Sequence, residues 1–270
     1  MRFQRIIEHV YCSPWLISAA GWDSVHRLVS ERILKPKAER PEEDFFGDEL
    51  PQMKIVGTTA IIPVDGVIGR KLGMMEKSCG ATDTLDIEED LKSALANPSV
   101  KNIVLDVNSP GGTVSGVPEL AQAIANADKS KPVIAFANDM MCSAAYWISA
   151  GARRVVATPS ASVGSIGVFV PWVDKSKAYE AMGLSVDIIK AGKYKAMGYP
   201  GTSLTSEQRG FIQADVDSTH AEFRSFVKQY RTSVGDESME GQTFSGKDAS
   251  SVKLVGQLVS SMDELLSQLR

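Results

Sequence analysis

An α/β fold with a mainly parallel sheet covered by helices is the architecture this sequence predicts, and two observations predict it. From Lys54 onward, short runs of β-branched and aromatic residues alternate with stretches of helical apolar period. The chain is 270 residues long and 43% hydrophobic, enough to build a sizeable core around such a sheet.

The elements follow in chain order. Residues 1–53 read as an N-terminal amphipathic segment and linker. Val25, Leu28, Val29 and Ile33 share one helical face, with Asp23 as the expected N-cap and His26 as a surface or packing residue. Residues 35–53 are charged and broken by Pro36, Pro41 and Pro51, as a linker or arm would be.

A second unit spans 54–270. Residues 54–69 read as two short strands, 69–84 as a loop and 85–96 as a helix with Ile87, Leu91, Ala94 and Leu95 facing inward. A buried strand at 102–107 runs into a turn, Asn-Ser-Pro-Gly-Gly at 108–112, and a helix at 114–127. Strand 133–137, helix 143–150, strands 154–157 and 165–170, a short helix 175–182 and a strand 185–191 come next. Thr205 and Gln208 form a capping box for a long helix. Its seam of Ile212, Val216, Phe223, Phe226 and Tyr230 should pack on another helix or a neighbouring subunit. A strand near 243–244, a helix, a strand-like 254–259 and a terminal helix from Met262 close the chain.

Composition excludes several classes. A net charge of −4 offers no global basic field for nucleic acid. Cys12, Cys79 and Cys142 show no C-x-x-C spacing, so neither a disulfide framework nor a zinc site is indicated, and no cofactor is expected. No apolar run reaches the roughly 18 residues of a membrane span. Arg2 and Arg5 followed by Trp15–Trp22 imitate a signal peptide, but Glu8, His9 and Pro14 interrupt the apolar region. A cytoplasmic protein is the expectation.

The stretch at 139–149, centred on Ser143, carries the chemistry. A serine between a buried strand and a buried helix sits beside unpaired helical N–H groups, where a developing anion is stabilised. The plainer role for such a serine is an N-cap. The glycines of 108–112 turn backbone amides toward a cleft without a Cβ in the way, so Gly111 or Gly112, with the amide of Ala144, would form an oxyanion hole. A histidine base is poorly placed: His9 and His26 precede the core, and His220 lies on the long helix. A G-x-S-x-G elbow is also absent. Lys190, Lys193 and Lys195, between Ile189 and Pro200, remain as candidate bases.

Four motifs in order, Asn-Ser-Pro-Gly-Gly, Cys-Ser-Ala-Ala-Tyr, Val-Gly-Ser-Ile-Gly-Val and Ile-Lys-Ala-Gly-Lys-Tyr-Lys, resemble the signal-peptide-peptidase-A-like serine peptidases, along about residues 55–259. The resemblance implies the Clp protease/crotonase type of fold and a Ser-Lys dyad. It places the nucleophile at Ser143, the general base at Lys195 and the oxyanion loop at Gly111 and Gly112. Ser165 would orient the lysine amine, with Lys193 at a variable position. Ala144 and Ala145 replace the more usual glycines.

A lysine base must be neutral near pH 7. Lowering its pKa from about 10.4 to about 7 costs roughly 4–5 kcal/mol, which burial in an apolar pocket supplies. Tyr194, Met197 and Tyr199 suit such a pocket, and Asp187 should point elsewhere. The flanks of Ser143 and the N-terminal Trp15–Trp22 stretch resemble phage-encoded head-maturation proteases. That implies capsid or scaffold proteins as substrates and a cytoplasmic or procapsid location. It also implies a ring or dome whose adjacent protomers share each site. The alternatives are a cytoplasmic peptidase of signal peptides or protein fragments, a crotonase-like acyl-CoA enzyme and a non-enzymatic assembly protein.

Overall fold

A computed structural model describes residues 15–29 and 51–269. His9, Cys12, Ile33 and most of the expected arm therefore lie outside the described residues. The chain opens with β1 (Trp15–Ile17) and α1 (Ala19–Leu28). Ser18, not Asp23, caps α1, its hydroxyl accepting from the Gly21 amide at 3.2 Å. The hairpin β2 (Lys54–Val56) and β3 (Thr59–Gly69) leads through α2 (Met74–Ser78) and β4 (Thr82–Asp83) to α3 (Thr84–Ala96). Then come β5 (Asn102–Thr113), α4 (Val117–Ala127), β6 (Val133–Cys142), α5 (Ala144–Ala150), β7 (Arg154–Ala157) and β8 (Ser162–Gly164). The short α6 (Ser176–Ala181) and the long α7 (Ser206–Tyr230) precede β9 (Thr243–Ser245), α8 (Gly246–Ser251), β10 (Gln257–Leu258) and α9 (Met262–Ser267).

The strands form one sheet with the central order β10-β7-β6-β5-β3-β2. Pairing is parallel except at β1–β5, β2–β3 and β8–β9, so the predicted mainly parallel sheet is observed. One face carries the larger core, with Leu91 of α3, Leu120 and Ile124 of α4, and all of α5 buried. Phe223 of α7 stacks on Trp147, ring centroids 4.5 Å apart. Full burial of each such ring is worth roughly 1.5–3 kcal/mol, which ties α7 to the helix that follows Ser143. On the other face Ile61, Val104, Phe136 and Val156 are covered by Leu265 of α9.

The structure departs from several expectations. Residues 108–112 are not a turn but the continuation of β5, paired to β3 on one side and to β1 on the other. Residues 185–191 form no strand: no neighbour offers them a ladder, and Ile189 is 98% exposed. Residues 165–170 are irregular apart from one bridge between Phe169 and Trp15. The strand-like 254–259 shortens to β10, and only Phe223 and Val227 of α7 are buried. Trp15–Ile17, expected in a separate N-terminal segment, is part of the main sheet.

Candidate active site

Ser143 is the single residue between β6 and α5, and its backbone is strained. It adopts φ +54° and ψ −116°, a region that side-chain-bearing residues avoid at a cost of roughly 1–3 kcal/mol. Its side chain does not cap α5. The hydroxyl is fully buried with no hydrogen-bond partner, so the N-cap explanation for this serine fails. The backbone is held instead: the Ser143 amide donates to the Gly164 carbonyl at 2.7 Å, and its carbonyl accepts from Trp147 at 2.9 Å. The amide of Ala144, first in α5, has no acceptor within the helix.

The glycine loop lies against this serine. Past Val107 the β5–β6 register slips, from Val107 beside Ala137 to Ser109 beside Met141. Ser109 clamps the bend, its hydroxyl donating to the Gly66 carbonyl at 2.6 Å and accepting from the Gly111 amide at 3.2 Å. Gly111, at φ +106°, has no room for a side chain: a Cβ there would strike the Leu16 carbonyl oxygen and lie 2.9 Å from the Ser143 Cβ. A Cβ on Gly112 would strike the backbone of Ile68. With Gly111 bonded to Ser109 and Gly112 paired to Leu16 of β1, the Ala144 amide is the donor left beside Ser143 to receive an anion. Ser109 is a residue that the sequence reading missed; its signal was a hydroxyl directly before the Pro-Gly-Gly bend.

Ser165 follows β8, which pairs in parallel with β6 and sets Gly164 beside Cys142. It is nearly buried at φ +54°, and its amide donates to the Gln242 carbonyl at 2.6 Å. The structure thus brings Ser143, Ala144, Gly111, Gly112 and Ser165 together.

It does not bring Lys195 to them within one chain. Lys195 is exposed in an irregular stretch, contrary to the apolar pocket expected for it, and makes no hydrogen bond to the Ser143 hydroxyl. Lys193 pairs with Glu207 of α7, and that carboxylate holds its ammonium above the ordinary lysine range, the wrong direction for a base. Lys190 donates to the Lys193 carbonyl at 2.9 Å. His220 bonds the Met239 carbonyl at 2.9 Å, so it is no partner of Ser143. Burial pushes the Cys142 thiol up to about 11, which leaves it protonated and inert beside the serine at neutral pH.

Two supports steady α5 from behind. The Tyr146 hydroxyl donates to the Leu254 carbonyl at 2.8 Å. The Arg231 guanidinium donates to the carbonyls of Ala150, Ala152 and Arg153, closing the C-terminal end of the helix. In front, β1 runs antiparallel across Gly111–Thr113, and its other edge meets Phe169.

Comparison with known proteins identifies relatives of the chain. The model of peptidase family S49 matches residues 125–270. The capsid assembly protease C of Escherichia phage lambda is 32% identical over 215 residues, covering 78% of this chain and 49% of that protein. The head-tail preconnector protein GP5 of Enterobacteria phage P21 is 29% identical over 215 residues, covering 78% of this chain and 43% of that one. The chain thus spans about half the length of these relatives. A solved enoyl-CoA hydratase/isomerase family protein from Silicibacter pomeroyi superposes with a TM-score of 0.46 at 12% identity, covering 80% of this chain and 79% of its own.

Proposed function

The chain belongs to peptidase family S49, and from that premise we propose that it is a serine endopeptidase with Ser143 as nucleophile and Lys195 as general base. The observation that carries this is the Ser143 side chain: buried, unpartnered, on strained backbone, and pressed against a loop that only glycine can form. Nothing structural accounts for keeping a hydroxyl there.

In the proposed reaction, neutral Lys195 takes the Ser143 proton as its oxygen attacks a peptide carbonyl. The amide of Ala144, together with that of Gly111 or Gly112, receives the negative oxygen, a contribution worth roughly 10²–10³ in rate per donor. The lysine then protonates the leaving amine, and water releases the acyl group. Ser165, beside Ser143, orients the lysine.

The lysine would come from an adjacent copy. Lys195 lies in a stretch whose large apolar side chains are bare: Val173, Met182, Leu184 and Ile189 are all exposed. A neighbouring protomer covering that stretch would bury Lys195 and depress its pKa. The phage relatives favour capsid or scaffold proteins as substrates. Among the described residues no helix is long and apolar enough to cross a membrane. A host-cytoplasmic or procapsid setting fits such a role.

Hydrolysis of denatured casein by wild type, Ser143→Ala, Lys195→Ala and Lys193→Ala tests the assignment. The first two variants should be inactive and the third active. An inactive Lys193→Ala with an active Lys195→Ala would refute the placement of the base.

A further inference from the structure

The strand β1 occupies ground that a substrate would need. It lies antiparallel on the glycine loop, with Ile17 beside Gly111, Leu16 beside Gly112 and Trp15 beside Thr113. On its far edge Trp15 and Phe169 exchange both backbone hydrogen bonds, at 2.9 and 3.1 Å. The Ser18 amide adds a bond to the Pro110 carbonyl at 2.8 Å. Because a strand alternates its polar groups, Leu16 turns its N–H and C=O the other way, toward Gly112. The Leu16 carbonyl oxygen and the Ser143 Cβ close on the same side of Gly111. The Leu16 side chain is fully buried in the main core, whereas Trp15 and Ile17 pack with Trp22, Val25 and Phe169.

An extended peptide binds to a sheet by pairing with a free edge, the main chain supplying affinity and pockets for alternate side chains supplying specificity. Beside Ser143 the edges of that kind are Gly111–Thr113 and Phe169, and β1 uses both. It is also short, three residues, and followed directly by a helix, so it joins the sheet through few bonds.

We infer that the track between Gly111–Thr113 and Phe169 is the peptide-binding site, and that β1 fills it at rest as an internal mimic of an extended apolar substrate. A protein substrate must displace β1, placing an aliphatic side chain where Leu16 sits. This rests on the reading of Ser143 as nucleophile only for what happens after binding.

The test locks β1 in place. Residues 15 and 169 form a doubly hydrogen-bonded antiparallel pair, whose Cα atoms lie about 5.5 Å apart, within disulfide reach. The full chain carrying Trp15→Cys and Phe169→Cys, with Cys12→Ser and Cys79→Ser to avoid other pairings, is oxidised with diamide and the cross-link verified by mass. Casein cleavage should fall at least tenfold on oxidation and return on reduction. Equal cleavage in both states overturns the inference. A second arm adds Ser143→Ala and reads binding of a fluorescein-labelled peptide with the sequence of residues 13–20, so it needs no catalysis. Binding only in the reduced state upholds the track even if Ser143 proves not to be the nucleophile. Equal binding in both states, or none in either, overturns it.

Discussion

Ser143 and Ser165 stand side by side at the ends of two paired parallel strands, both at φ +54°, joined through the bond from the Ser143 amide to the Gly164 carbonyl. Two serines on left-handed backbone next to a glycine loop are costly to fold. The proposed catalytic role gives that cost a reason, which packing alone does not.

Replacing Ser143 with glycine should separate the two. Glycine tolerates the positive φ, so Ser143→Gly removes roughly 1–3 kcal/mol of strain and loses only a small side chain. Differential scanning calorimetry should show a midpoint raised by several degrees with casein cleavage abolished. Ser143→Ala should abolish cleavage while keeping the backbone strain, so its midpoint should stay below that of Ser143→Gly.

Gly111→Ala should damage both. The new methyl collides with the Leu16 carbonyl and crowds the Ser143 Cβ, so the loop moves away from the nucleophile. We expect casein turnover to fall by roughly 10²-fold or more, with a lowered midpoint. Gly57→Ala is the control. Gly57 also has positive φ, +62°, but nothing lies within 4 Å of its Cβ position, so strain alone should lower its midpoint and turnover should persist.

The thiol beside the nucleophile sets an alkaline limit. Cys142 titrates at about 11 in the folded chain against an ordinary 9.0, because burial disfavours the thiolate. Below pH 9 the thiol is protonated in both states and its contribution is fully present. Between 9 and 11 the unfolded chain gives up the proton while the native chain keeps it, so stability falls, by roughly 2–3 kcal/mol across the window. Thermal midpoints should drop from pH 8.5 to 10, and drop less in Cys142→Ala. The Tyr146 hydroxyl, also raised by burial, adds to the loss only above its ordinary 10.0. At pH 8 iodoacetamide should spare Cys142.

Much of the site was legible before the structure because it is built from local chemistry. A strand, one serine and a buried helix read directly from Val133 to Ala150, and the paired glycines stood out as a place with no room for a side chain, although they lie inside β5 rather than in a turn after it. The sheet class followed from the alternation of elements. What failed depends on partners distant in sequence. Trp15–Ile17 is too short to show a strand period, and its pairing with Gly111–Thr113 lies almost a hundred positions away. Residues 185–191 have β-forming composition but no neighbour to complete a ladder. The seam of α7 was read as packing on another helix or a neighbouring subunit; in the chain itself Phe223 and Val227 are buried and Phe226 is partly buried against the main core. The burial expected for Lys195 fails for the same reason, since nothing in its own chain covers it.

Complementation between two dead variants is the most direct test of a nucleophile and base supplied by different copies. Ser143→Ala and Lys195→Ala, each inactive alone, are mixed, dissociated and reassembled, and casein cleavage is measured. Shared sites predict recovery to about a quarter of the wild-type rate, the random-mixing share of interfaces that pair an intact Ser143 with an intact Lys195. No recovery in oligomers shown by mass to contain both variants would contradict the shared dyad.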